Sequence, residues 1–130
     1  SVTIRQGNMS HIIAVIEDEE AIRELYRIKL ESEGFKVITA TNGEEGLKLL
    51  DTHNPHVALL DIMMPDMDGI EVLQIATQKD ILPKSVVILT NLPYETARDM
   101  AKPFPVAGIF IKMETTPVKV AQTVRELIAE

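Results

Sequence analysis

Five short apolar runs punctuate the chain, at residues 11–16, 35–40, 57–61, 85–90 and 107–112, separated by stretches with helical spacing. The first, third and fourth runs are apolar without alternation, as in strands covered by helices on both faces of a parallel sheet. Residues 19–33 set Ile22, Leu25, Tyr26 and Leu30 on one helical stripe, and Gly34 stands where a C-terminal cap belongs. A weaker helix is predicted over 43–52, with Leu47 and Leu50 inward and Gly46 costing about 1 kcal/mol relative to alanine. Residues 69–79 form a third helix on Ile70, Leu73 and Ala76, and Pro83 breaks the chain before the next strand. The fourth, 94–101, is the shortest and is stopped by Pro103 and Pro105. The last is written most clearly. Thr116 is its N-cap and Pro117 its first residue, and Val120, Ala121, Val124, Leu127 and Ile128 share one face.

Strand and helix therefore alternate five times. Right-handed crossovers turn that alternation into a doubly wound, five-stranded parallel α/β sheet, (βα)5, between two layers of helices. At 130 residues the chain is one domain, with no internal repeat and no linker to divide it. The first eight residues are polar and aperiodic. They read as a disordered leader or expression remnant ahead of a domain spanning 9–130. A net charge of -7 argues against direct nucleic-acid binding, because phosphate backbones demand clustered Lys and Arg. The apolar runs fall far short of the roughly 20 residues that cross a membrane, and no signal-peptide core follows Arg5. With no cysteine there is neither disulfide nor thiolate metal site, and a cytoplasmic location is expected.

In doubly wound sheets the functional groups lie beyond the carboxyl ends of the strands, where strand order reverses. Here the first strand ends in Glu17 and Asp18, the third in Asp61, the fourth in Thr90 and the fifth in Lys112. Three carboxylates, a hydroxyl and an ammonium thus converge on one sheet edge. Unpaired, three close carboxylates repel one another, and a hard divalent cation relieves that repulsion. Magnesium suits the site best, since it takes oxygen ligands and pairs with phosphoryl oxygens. A carboxylate can attack phosphorus, Thr90 can donate to an anionic oxygen and Lys112 can neutralise another. Taken singly, Glu17 and Asp18 read as acids favoured in a first helical turn. Asp61 is harder to set aside, being a poor strand former that is costly to bury unpaired. Elsewhere, His11, His53 and His56 have no metal-like spacing. Asp66 and Asp68 read as helix-start acids, and Met63, Met64 and Met67 as flexible apolar packing.

The stretch Asp-Ile-Met-Met-Pro-Asp-Met-Asp-Gly, from Asp61 to Gly69, resembles the phosphoacceptor loop of response-regulator receiver domains, D-x-x-M-P-x-x-x-G. The similarity runs from His11 to Ile128. It implies a flavodoxin-like three-layer fold of the chemotaxis-regulator kind, switched by phosphorylation rather than acting as an enzyme. By position, Asp61 resembles the phosphorylated aspartate, Glu17 and Asp18 the acidic pair that binds magnesium with Asp61, and Met63 the donor of a backbone carbonyl to the metal. Thr90 resembles the switch hydroxyl and Lys112 the lysine that grips the phosphoryl group. The resemblance also implies partners: a sensor histidine kinase or phosphotransfer protein as donor, and a downstream protein or fused effector domain as target. A homodimer through residues 94–128 is a further expectation. Three positions differ from the family's habit. Ile109 stands where an aromatic residue is usual, Asn91 where a small residue is usual, and Met113 where proline follows the lysine.

Two other functions use the same residues. One is an aspartyl-phosphate phosphatase or phosphotransferase, against which stands Met63, two residues beyond Asp61, where turnover would call for an acid. The other is a degenerate receiver acting as a phosphorylation-independent interaction module, against which stands the intact five-residue set.

Overall fold

The structure, a computed structural model, describes residues 11–130; the leader expected over residues 1–8 lies outside them. Five parallel strands, β1 (Ile12–Ile16), β2 (Lys36–Ala40), β3 (Val57–Leu60), β4 (Ser85–Thr90) and β5 (Val106–Ile111), form one sheet in the order β2-β1-β3-β4-β5. Between and after them run α1 (Glu20–Ser32), α2 (Gly43–His53), α3 (Gly69–Gln78), α4 (Tyr94–Ala101) and α5 (Pro117–Ala129). A single 3-10 turn, Lys112–Glu114, links β5 to α5. The doubly wound (βα)5 fold expected from the sequence is the fold observed.

Successive strand residues feed opposite layers, which is why the central strands carry no polar alternation. Ala14, Ile16, Ala58, Leu60, Val86 and Ile88 face Leu50 of α2, Val72, Leu73 and Ala76 of α3 and Ala97 of α4. Ile13, Val15, Val57, Leu59, Val87 and Leu89 face Tyr26 and Leu30 of α1 and Val120, Ala121 and Val124 of α5. Thr116 caps α5 by accepting from the Lys119 N–H, with Pro117 in the first turn, as the sequence predicts. Asp68 caps α3 reciprocally with Glu71, so it is the helix-start acid it was expected to be. Gly34 lies just past α1 at φ 95°, where a side chain would be strained.

Two local expectations are corrected. Leu25 is 48% exposed rather than part of the inward stripe, because Ile22, Tyr26 and Leu30 at spacing four already fill the sheet-facing side. Met63 is 61% exposed, so of the three loop methionines only Met64 and Met67 pack against the core. Gly46 in turn has a packing reason to be glycine. A Cβ there would stand 2.8 Å from the Ile16 side chain, so α2 approaches β1 more closely than alanine permits.

Candidate functional site

The strand order reverses between β1 and β3, which lie side by side while their connections leave in opposite directions. Chain ends that diverge there leave a crevice above the sheet. The Asp61 N–H donates to the Ile16 carbonyl at 3.1 Å, and the Glu17 N–H to the Ala40 carbonyl at 3.0 Å. These two bonds carry the ladder one residue past the strands and set Asp61 beside Glu17. Oxygens of Glu17, Asp18 and Asp61 come within 4.8 Å of one another. Glu17, Asp61 and Thr90 are the buried polar side chains among the described residues, and all three belong to this one edge.

Lys112 reaches the group from the 3-10 turn rather than from the end of β5, as the sequence suggested. Its ammonium lies 2.7 Å from Glu17 Oε1, 3.1 Å from Asp61 Oδ2 and 3.1 Å from Glu19 Oε1, with 6% of the side chain exposed. Asp61 Oδ1 accepts from the Met63 N–H at 3.2 Å. The Thr90 hydroxyl oxygen accepts from the Leu92 N–H at 3.2 Å, which holds the side chain in a tight local turn. The loop from Asp61 returns over itself: the Gly69 N–H donates to the Ile62 carbonyl at 2.9 Å, and a Cβ on Gly69 would stand 2.3 Å from the Asp61 carbonyl oxygen.

Two participants carry no signature in the sequence. Glu19 is the third carboxylate on Lys112. Arg23, one turn into α1, donates from Nη1 to the carbonyls of Glu17 at 2.9 Å and Asp18 at 3.3 Å, tying the acidic loop to the helix. Neither contact follows from spacing: Glu19 meets a lysine 93 residues away, and the carbonyls that Arg23 takes look alike in any sequence.

Burial pushes the Glu17 carboxyl up to about 7, helped by the Asp61 charge and opposed by the Lys112 and Glu19 hydrogen bonds. Burial also raises Asp61, against the pull of Lys112. For Lys112, burial favours the neutral amine, but the hydrogen bond to Glu17 and the charge of Asp61 outweigh it and hold the ammonium above its ordinary value. A cluster with more carboxylates than cations, desolvated and unevenly paired, has the character of a cation site. Asp18 Oδ1 is buried without a hydrogen-bond partner, so one ligand atom stands ready. The donor set is all oxygen, which fits magnesium. Bound there, the ion would be held by Glu17, Asp18 and Asp61 and would supply positive charge to a phosphoryl group.

Residues 13–115 match the response regulator receiver domain family. The chain belongs to that family. This receiver domain is 45% identical over 83 residues to the alkaline phosphatase synthesis transcriptional regulatory protein PhoP of Bacillus subtilis, a stretch covering 63% of this chain and 34% of that protein. It is 41% identical over 78 residues to the transcriptional regulatory protein AfsQ1 of Streptomyces coelicolor, covering 60% of this chain and 34% of that one. The matched part spans about a third of the length of these relatives. Among solved structures, the receiver domain of Francisella response regulator 1452 superposes with a TM-score of 0.81 at 28% identity, covering 90% of this chain and 95% of that one. The response regulator TrrA of Thermotoga maritima, in complex with magnesium and beryllofluoride, gives 0.77 at 29% identity over 90% and 98% of the two chains. The receiver domain is thus a module of the two-component response-regulator kind, from a family whose members work with histidine kinases and effector domains as signalling proteins. No helix among the described residues is long and apolar enough to cross a membrane.

Proposed function

We propose that Asp61 is the phosphoacceptor and that magnesium at Glu17, Asp18, Asp61 and the Met63 carbonyl assists the transfer. The observation that carries this reading is the placement of Asp61 against both the acidic pair and the Lys112 ammonium, 3.1 Å away, at the crevice of the sheet. In the step itself, an Asp61 carboxylate oxygen attacks phosphorus. The bond from phosphorus to the donor breaks, and its electron pair leaves with the donor, an imidazole nitrogen of a phosphohistidine that then takes up a proton. Lys112 exchanges part of its hold on Asp61 for a phosphoryl oxygen, and the Thr90 O–H donates to another. Support for magnesium comes from the unpartnered Asp18 oxygen and from the relative TrrA, solved with magnesium and beryllofluoride.

The donor is a histidine kinase or phosphotransfer protein. The output is a contact made by the face carrying α4, β5 and α5, within residues 94–128, to a downstream protein, a fused effector domain or a second copy. In that face Ile109 packs with Phe104 and Val106 on one side of β5, while Phe110 packs on the other. Coupling from Thr90 therefore runs through apolar repacking rather than through an aromatic hydroxyl at position 109. Incubation with acetyl phosphate and magnesium separates the readings. A switch yields a stoichiometric, persistent phosphoform; rapid turnover without accumulation favours a phosphatase, and no reaction favours a phosphorylation-independent module.

The metal assignment has its own test. Glu17 is already engaged by Lys112 and the Glu19 N–H, whereas Asp18 offers a free oxygen. Asp18→Asn is therefore expected to weaken magnesium binding more than Glu17→Gln in titration calorimetry; equal losses would contradict the assignment. The pH dependence follows from Glu17. Its folded value of about 7 lies above its ordinary 4.5, so the folded state holds the extra proton between these values. Stability from this group is present below pH 4.5 and is lost as pH rises through 7. Magnesium must displace that proton, so its affinity should climb across pH 6–8 by up to about tenfold per unit. Glu17→Gln should flatten the climb; an unchanged slope in that variant would contradict it.

A further inference from the structure

Beyond the last rung of the β4–β5 ladder, Thr90 opposite Ile111, the two strands have no backbone partner for each other. The next residues are Asn91 and Lys112, and their chains leave in different directions, one into α4 and the other into the 3-10 turn. One contact bridges the gap. The Asn91 side-chain carbonyl, Oδ1, accepts from the Met113 backbone N–H at 3.1 Å. The side chain thus replaces the backbone carbonyl that a longer β4 would have supplied. The donor exists because position 113 is not proline, which has no N–H.

The position of this bond matters. Asn91 is bonded to Thr90, whose hydroxyl is set by the Leu92 N–H two residues on. Met113 is bonded to Lys112, whose ammonium spans Glu17, Glu19 and Asp61. A 3-10 turn of three residues has little hydrogen bonding of its own to fix its orientation. Lys112 must nevertheless place a flexible four-carbon side chain within 3.1 Å of Asp61. We infer that Asn91 is a positioning residue: through the Met113 N–H it fixes the turn from which Lys112 reaches Asp61, and it ties that turn to the Thr90 loop. Movement of Thr90 toward a phosphoryl group is then transmitted to the Lys112 turn directly, across a single side chain. The inference rests on the reading of Lys112 given above.

A purely steric role for Asn91, narrowing the entrance, predicts the opposite sign for its removal. Asn91 is exposed, so its replacement leaves the core untouched. Initial rates of phosphorylation by acetyl phosphate with magnesium would be measured for Asn91→Ala, Asn91→Leu, Lys112→Ala and Asn91→Ala combined with Lys112→Ala, alongside hydrogen exchange at the Met113 amide. Loss of one hydrogen bond should slow both Asn91 variants about three- to tenfold and speed Met113 exchange by a similar factor. In the Lys112→Ala background, Asn91→Ala should have no further effect, since it acts through that lysine. A faster Asn91→Ala protein, unchanged Met113 exchange, or an undiminished Asn91→Ala loss without Lys112 overturns the inference alone. A Lys112→Ala protein as fast as wild type overturns the reading of Lys112 and the inference with it.

Discussion

Replacing Lys112 by alanine is expected to slow phosphorylation about a hundredfold, the usual order for removing one preorganised donor to developing charge in a shielded site. The same change should destabilise the metal-free protein by about 2 kcal/mol at pH 8 and by much less at pH 5. The two effects share a cause. Lys112 is the cation that lies between Glu17 and Asp61, both buried. Without it, two desolvated carboxylates face each other, and removing one partner of a buried ion pair leaves the other charge uncompensated. Glu17 and Asp61 are already shifted toward their protonated forms by burial, so mild acid relieves the repulsion. The sign follows: the variant's deficit grows as pH rises through the Glu17 value of about 7. Magnesium should restore stability at pH 8, because it supplies the missing positive charge. Urea denaturation at both pH values, with and without magnesium, checks this. An equal deficit at pH 5 and pH 8 would show that Lys112 contributes packing rather than charge.

Gly69→Ala should cost about 3 kcal/mol, at the upper end for an overpacked site. The conflict is with backbone rather than with a side chain that can turn away. An added Cβ would lie 2.3 Å from the Asp61 carbonyl oxygen and 2.9 Å from the Ile62 Cα. Only by moving the start of α3 or the Asp61 peptide can the chain make room, and either shift disturbs the carboxylate. The variant is therefore expected to lose magnesium affinity as well as stability. By comparison, Gly46→Ala meets only side-chain atoms of Ile16 and should cost less. Chemical denaturation of the two variants gives the ranking; a Gly69→Ala protein as stable as wild type would contradict the close approach.

The fold was legible because each central strand is apolar on both faces and each helix carries stop signals. Ile13 and Ala14, adjacent in sequence, serve opposite layers, and an unbroken apolar run is the trace of that arrangement. Thr116 and Pro117 announced α5 through local capping chemistry, which needs no tertiary partner. The site was legible for a topological reason: parallel strands put their carboxyl ends on one edge, so Glu17, Asp18, Asp61 and Lys112 meet there, with Thr90 at the end of β4 on the same edge. What escaped was contact by way of the backbone. Arg23 holds two carbonyls, and Asn91 takes an N–H from a residue 22 positions away. Leu25 departs from the expected stripe because apolar character alone does not say which side of a helix meets the sheet; the spacing-four series Ile22, Tyr26 and Leu30 wins that side. Asn91 and Met113 looked like separate departures from the family's habit. In the structure they are the two halves of one hydrogen bond.

Whether Asp61 is the phosphoacceptor is read most directly from the location of the phosphoryl group. The protein would be phosphorylated with acetyl phosphate and magnesium, the acyl phosphate trapped by borohydride reduction, and the modified residue mapped by peptide mass spectrometry. A single reduced residue at position 61 is expected, with no incorporation in Asp61→Asn or when magnesium is removed. Label at another residue, or undiminished label in Asp61→Asn, would contradict it.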